Sequence, residues 1–304
     1  MKPKVIVIVG PTASGKTALG IELAKKINGE IVSCDSMQIY KDMTIGTAKP
    51  SFEEQEGIKH YLIDFVSPDT RYTVSEYRKD AKCAIEEILS KGKTPIIVGG
   101  TGLYVESLIY EIAYPEIETD ENYRKTLEEK AEKDGLIGLY EEACKIDEDA
   151  MKKISPNDQK RILRVLEIYH DTGKTKTELE IESRKNEVPY DYHLFGINLP
   201  RDVLYERIDK RVDIMVNDGL IDEVKALFKK YSEFPTAMQG IGYKEIKEYL
   251  DGKASKEEAI EKIKLESRHY AKRQMTWFRK YKELVWIDGQ KNIKEKVDII
   301  LNNL

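Results

Sequence analysis

The stretch GPTASGKT, residues 10–17, sets two glycines, a lysine and a threonine at the spacing G-x-x-x-x-G-K-T. Backbone N–H groups of such a loop, with the N-terminus of a following helix, point at an anion. Lys16 supplies a mobile positive charge, and the Thr17 hydroxyl suits Mg²⁺. The loop predicts bound phosphate without saying whose. A nucleotide hydrolase or motor would also need an acid at the end of a hydrophobic strand, to position metal and water. PIIVGGTG, 95–102, ends in no acid. The carboxylate that remains is Asp35, at the end of EIVSCDS. Its place suits a general base acting on an acceptor better than a metal ligand; the competing assignment is a cap or turn residue. Thr101, between Gly100 and Gly102, reaches the same region because the glycines let the backbone come close, although a simple turn would also account for it.

Two further groups carry charge. Arg207 and Arg211 are four apart and share a helix face, where they could clamp a leaving diphosphate. Pairing with Glu206 or Asp209 on a solvated face explains them at least as well. ESRHYAKRQMTWFRKYK, 266–282, has Arg268, Lys272, Arg273, Arg279, Lys280 and Lys282 against Glu266, a local charge of +5, interleaved with Tyr270, Trp277, Phe278 and Tyr281. Basic plus aromatic is the composition of a surface for single-stranded nucleic acid. Trp277 and Tyr281, at i and i+4, are the aromatics expected to face inward.

The elements that must position these groups follow from pattern. KVIVIV, 4–9, reads as a buried strand ended by Gly10, and 16–27 as a helix with Leu19, Leu23 and Ile27 on one face. Strands are expected over 30–36, 60–68 and 94–102, and a helix capped by Thr73 with Glu76 three residues on, ending near Gly92. Alternating strand and helix predicts α/β: a P-loop NTPase-like parallel sheet flanked by helices, with ligands beyond the carboxyl ends of the strands. After residue 112 the chain turns highly charged and helical. Ser155-Pro156-Asn157-Asp158 reads as a helix start with Ser155 as cap, followed by Ile162, Leu163, Leu166 and Tyr169 at helical spacing. The expected organisation is a core of 1–112 and 189–304 with an inserted all-helical subdomain over 113–188; a strand over 192–200 rejoins the sheet and long helices fill the rest.

With 304 residues, 40% of them hydrophobic and 35% charged, the chain has the composition of a soluble globular protein. The net charge of −5 carries no global signal for nucleic acid. Cys34, Cys83 and Cys144 lie far apart, which argues against a zinc site or disulfide framework and suits a reducing, cytoplasmic setting. The N-terminal apolar run is too short for a signal peptide or a membrane span.

Together, GPTASGKT, SCDSMQIYKDMTIGTAKP, HYLIDFVSP, PIIVGGTGLY, SPNDQKRILRVLE, MQGIGYKE and AKRQMTWFR occur in the order of one family and span nearly the whole chain. The sequence resembles the tRNA dimethylallyltransferases, also called tRNA isopentenyltransferases. The phosphate loop is shared with many kinases; DSMQIY with GGTGLY and KRQMTWFR is far more specific. The resemblance implies transfer of a dimethylallyl group from its diphosphate to the exocyclic N6 of the adenosine just 3′ of the anticodon in tRNA. It implies Mg²⁺ as cofactor, dimethylallyl diphosphate and the tRNA anticodon stem-loop as partners, no membrane and a monomer. By resemblance, Gly10, Pro11, Thr12, Ala13, Ser14, Gly15, Lys16 and Thr17 hold the diphosphate, with Thr17 on the metal. Asp35, Thr101 and Arg211 match catalytic positions. Matching tRNA-contacting positions are Asp35, Ser36, Met37, Gln38, Thr101, Gln159, Lys160, Arg161, Ile162, Leu163, Gln239, Gly240, Ile241, Gly242, Tyr243, Lys244, Lys272, Arg273, Gln274 and Arg279, with Arg124 a looser match on the insert. Gly240 departs from the family, whose members often carry a larger residue there, and Lys160 before Arg161 is a mild variation. The alternatives are a P-loop small-molecule kinase using ATP and a regulatory RNA-binding protein without turnover.

Overall fold

The computed structural model describes residues 2–112 and 120–304, which fall into two compact units: one of residues up to Val105 together with Pro189–Leu304, the other Glu106–Val188. The part of the expected helical insert over 113–119 lies outside the described residues.

The first unit is built on a six-stranded, wholly parallel sheet. Its first half runs β1 (Lys4–Val9), α1 (Lys16–Ile27), β2 (Gly29–Cys34), β3 (His60–Tyr61), α2 (Val74–Ser90), β4 (Thr94–Gly99) and the start of α3 (Gly102–Ile109), whose residues from Glu106 on belong to the second unit. The second unit holds α4 (Glu121–Asp134), α5 (Leu136–Ile146), α6 (Glu148–Met151), α7 (Gln159–Thr172) and α8 (Lys176–Ser183). The first unit then resumes with β5 (Asp191–Asn198), α9 (Arg201–Asn217), α10 (Leu220–Lys230), a 3₁₀ turn (Ala237–Gln239), α11 (Tyr243–Leu250), α12 (Lys256–Phe278), β6 (Val285–Asp288) and α13 (Ile293–Leu301).

The spatial order is β3-β2-β4-β1-β5-β6. β1 and β4 are central, so their runs of Val and Ile are apolar on both faces, as a sheet covered by helices requires. Ile6, Ile8, Ile31, Ile96, Val98, Phe195 and Ile197 pack with Leu19 and Leu23 of α1 and with Val297 and Ile300 of α13. Gly20 lets α1 lie close to the sheet, because a Cβ there would stand 2.7 Å from Val98.

Thr73 and Glu76 form the expected capping box, and α2 ends as predicted before Gly92. The strand expected over 60–68 shrinks to two residues and one isolated bridge, Tyr40 to Val66. Leu62 and Asp64 both take φ of 59°, which breaks the extended backbone. The helix expected to start at Ser155 begins one turn later. Ser155 and Pro156 form a turn closed by Asp158 N donating to Ser155 O at 2.9 Å, and Asp158 is the actual cap, accepting from Arg161 N. Tyr169, expected on the apolar face, is exposed, while Ile162, Leu163 and Leu166 are core. The short edge strand β6 lies where the sequence pattern predicts only helices.

Candidate active site

The loop between β1 and α1 takes the shape its glycines permit. Gly15 caps α1 with φ of 85°, a left-handed conformation, and Ala13 is also left-handed at 61°. Gly10 and Pro11 are buried at the root of the loop. Ala13 packs against Leu204 and Ile208 of α9 and Ala271 of α12. The Ser14 hydroxyl is buried without a hydrogen-bond partner. Thr12, Lys16 and Thr17 line a cavity of about 300 Å³.

The strand ends converge there as expected. Asp35 and Ser36 follow β2, and Val98 and Gly99 close β4 on the same cavity. Asp35 Oδ1 accepts from Met37 N at 2.9 Å and from Gln38 N at 3.3 Å, so the turn-residue assignment is correct for one carboxylate oxygen; Oδ2 has no protein hydrogen bond among the described residues. Thr101 does not itself line the cavity. Its hydroxyl accepts from Ser36 N at 3.0 Å and its own N–H donates to Cys34 O at 3.1 Å, which fixes the Asp35 turn from behind.

The α9 stripe Leu204, Ile208, Val212 and Met215 faces inward, and Arg211 shares that face. Arg207 is exposed, and Asp209 is engaged by Arg268 at 2.6 Å, so the two arginines four apart do not act as a pair. Burial pushes the Lys16 ammonium down from 10.5 to about 8, against the pull of Asp35 and with the help of the Arg211 charge. Burial also lowers Arg211, again opposed by Asp35. The cavity is thus lined by two desolvated cations, by the exposed Arg273 and by one carboxylate. Two such cations favour an anion between them.

Another part of the lining is made by residues 46–48 and 239–243. Glu223, unmarked in the sequence, organises it: Oε2 accepts from Thr44 N at 2.9 Å and Ile45 N at 2.7 Å, while Oε1 accepts from Gly46 N at 3.0 Å and Tyr243 OH at 2.7 Å. Gly46 is required, since a Cβ there would meet the Tyr243 ring at 2.6 Å. Gln38 Nε2 donates to Thr47 O and Ala48 O, both at 3.2 Å. At Gly240 a Cβ would stand 3.0 Å from Met37 Sδ and 3.2 Å from Tyr243, so a larger residue would displace Met37.

Several residues expected to touch tRNA have other work. Ile162 and Leu163 are core of the second unit, so their side chains are unavailable; Gln159, Lys160 and Arg161 are exposed on the first turn of α7. Arg124 donates to Glu128 at 3.0 Å and to Glu167 at 2.9 Å; Glu167 is 1% exposed, so Arg124 neutralises a buried charge. Tyr243 is buried on Glu223, and Gln274, 4% exposed, has both ends of its amide taken. Gln239 and Lys244 are exposed, Ile241 is half-buried and Gly242 buried. On and just after α12, Lys272, Arg273, Arg279, Lys280 and Lys282 are exposed and form no ion pair among the described residues. Tyr281 and Phe278 are core, and Trp277, half-buried, donates to Tyr281 OH at 3.0 Å.

A family model described as IPP transferase matches residues 38–281. A tRNA dimethylallyltransferase of Acetivibrio thermocellus is 52% identical over 285 residues, covering 93% of this chain and 91% of that protein. That of Oceanobacillus iheyensis is 45% identical over 305 residues, covering 100% and 97%. A full-length tRNA isopentenylpyrophosphate transferase from Bacillus halodurans superposes with a TM-score of 0.74 at 43% identity, covering 99% of this chain and 95% of that one. A eukaryotic dimethylallyltransferase acting on tRNA gives 0.81 at 33% identity, covering 99% and 80%. With a matching model over most of its length and relatives of this identity end to end, the chain belongs to the tRNA dimethylallyltransferase family.

Proposed function

We propose that this enzyme transfers a dimethylallyl group from dimethylallyl diphosphate to the exocyclic N6 of the adenosine immediately 3′ of the anticodon, releasing diphosphate. The observation that carries the reading is the meeting of Lys16, Arg211 and Asp35 in one cavity beside the phosphate loop.

An adenine amine is a weak nucleophile because its lone pair is delocalised into the ring. An allylic carbon compensates, since it bears positive charge as the leaving group departs. The new bond joins N6 to the allylic carbon, and the bond from that carbon to the diphosphate oxygen breaks. The departing charge meets Lys16, Arg211 and the loop N–H groups other than those of Thr12 and Ser14, which donate to Gln274 Oε1 and Pro11 O. The proton leaving N6 passes to Asp35, whose Oδ1 is held by the turn amides while Oδ2 is left to act. Ile208, Val212, Met215, Leu220 and Ile263 give the cavity an apolar side that suits a hydrocarbon chain.

Mg²⁺ fits this donor set. The described residues contain no cluster of three or more acidic, histidine or cysteine ligands, whereas Mg²⁺ with a diphosphate needs only one or two protein oxygens. Thr17 would hold it, with Asp35 the one carboxylate within the lining. When bound, the ion would screen diphosphate charge.

The exposed basic residues on and after α12 support an RNA surface. We further propose that Gln159, Lys160 and Arg161 bind tRNA from the second unit, that the protein is cytoplasmic, and that it acts as a monomer. No helix among the described residues is long and apolar enough to cross a membrane. The test uses labelled dimethylallyl diphosphate, Mg²⁺ and unmodified tRNA, with ATP and candidate acceptors in parallel. Label on the adenosine 3′ of the anticodon is expected; ATP turnover with no label on RNA overturns the reading in favour of a kinase.

A further inference from the structure

The glycine turn after β4 is shaped by one face of α12. A Cβ on Gly100 would lie 2.1 Å from Gln274 Nε2, and one on Gly102 would lie 2.5 Å from the Trp277 ring. Gln274 and Trp277 are three apart, one turn along the same helix face. The glycines are therefore openings into which specific α12 side chains fit.

Gln274 does more than fill space. Its Oε1 accepts from Thr12 N at 2.9 Å, and its Nε2 donates to Gly100 O at 2.9 Å. One buried amide thus ties the loop after β1 to the turn after β4. Burying an amide is unfavourable unless both ends are matched, and both are matched here. Residues 272 and 273 on the same helix are exposed cations.

We propose that Gln274 is a positioning residue: its amide sets the diphosphate-holding loop against the Gly100–Thr101 turn, and so against Asp35, in the geometry transfer requires. This rests on the proposed function only for the transfer readout, because binding of inorganic diphosphate tests the loop without RNA. Gln274→Leu removes both hydrogen bonds at similar volume. Gln274→Glu keeps the acceptor for Thr12 N but sets a carboxylate oxygen against Gly100 O until that carboxyl is protonated.

Four quantities are measured for each variant: the thermal midpoint, Kd for inorganic diphosphate with Mg²⁺, Kd for tRNA, and kcat/KM for dimethylallyl diphosphate. For Gln274→Leu the expected result is at least tenfold weaker diphosphate binding and lower kcat/KM, with tRNA Kd unchanged. For Gln274→Glu both quantities recover at least threefold relative to wild type as pH falls from 8.5 to 6, which loss of packing would not produce. A folded Gln274→Leu within twofold of wild type in diphosphate Kd overturns the proposal. If that variant does not fold, Gln274→Glu decides, and a deficit that does not change with pH overturns it. A wild type that binds diphosphate but labels no tRNA would instead overturn the proposed function.

Discussion

Replacing Glu223 with glutamine tests how the cavity wall is held. The carboxylate accepts four hydrogen bonds, three from successive amides of residues 44–46 and one from Tyr243 OH. In Glu223→Gln the carbonyl oxygen can keep two of these amides. The new NH₂ then faces an N–H at Gly46, donor against donor, and the charge that strengthened all four bonds is gone. Hydrogen bonds to charged groups contribute about 1.5–3 kcal/mol each, and one unmatched donor costs about 1–3 kcal/mol. Allowing for partial exposure of Glu223, a loss of about 3 kcal/mol is expected. For a unit of this size that corresponds to a midpoint lower by about 6–12 °C. Gly46, Thr47 and Ala48 line the cavity, so KM for the prenyl donor should rise along with the loss of stability. Scanning calorimetry and donor-dependent kinetics are the assays. A midpoint within 2 °C of wild type together with unchanged KM would show that the loop holds its shape without Glu223.

Asp35→Asn keeps an acceptor for Met37 N and so preserves the turn; kcat should fall about 10²–10⁴-fold with tRNA binding unchanged, and a loss of only a few-fold would remove Asp35 as the base. Neutralising Lys272, Arg273 and Arg279 together should weaken tRNA binding and make the slope of log K against log salt shallower by about 2, as three lost single-strand phosphate contacts require; an unchanged slope assigns them no phosphate contact. In the second unit burial would raise the Asp147 carboxyl, but hydrogen bonds from Thr177 Oγ1 at 2.6 Å, Ala150 N and Thr177 N hold it below 3.8. Its folded pKa is depressed, so its stabilisation is complete above the ordinary carboxylate range and is lost as pH falls through the folded value. Hydrogen exchange at α6 and α8 should therefore be faster in Asp147→Asn than in wild type at pH 7, with the difference closing as pH falls through the depressed folded pKa; a constant difference would refute the linkage.

The parts of the site carried by local pattern were legible in the sequence. The phosphate loop, the Thr73 capping box and the buried strands are fixed by glycines, caps and apolar runs within a few residues. Asp35 could be placed because it follows a strand whose end must face the cleft. What stayed hidden depends on long-range partners. Glu223 looks like an ordinary acid in the first turn of α10, and nothing nearby in the sequence announces the loop it holds, 177–179 residues upstream. The strand expected over 60–68 failed because two non-glycine residues take left-handed backbone, which composition does not disclose. Ile162 and Leu163 show the limit of transferring whole segments: α7 presents Gln159, Lys160 and Arg161 to solvent, and one residue further the same helix turns into the core.

The net charge of −5 and the proposed RNA substrate are compatible because charge in this protein is sorted by position. Arg268 lies within the basic run 266–282, yet it is spent on Asp209 at 2.6 Å. The cations after it, Lys272, Arg273, Arg279, Lys280 and Lys282, have no acidic partner within ion-pair distance among the described residues. Arg273 stands 5.7 Å over Tyr270, a cavity-lining ring, and Lys280 stands 4.6 Å over Trp277, the ring packed on Gly102. Cations left unpaired but seated on aromatic faces remain free to meet phosphate while their direction is fixed. The same helix therefore brings Tyr270, Arg273 and Gln274 to the cavity, while Lys272 lies exposed beside them. An acceptor held by those cations would have its phosphates anchored on the helix whose Arg273 lines the same cavity as Asp35, and such positioning is what a reaction between a weak amine and a bound allylic carbon most needs.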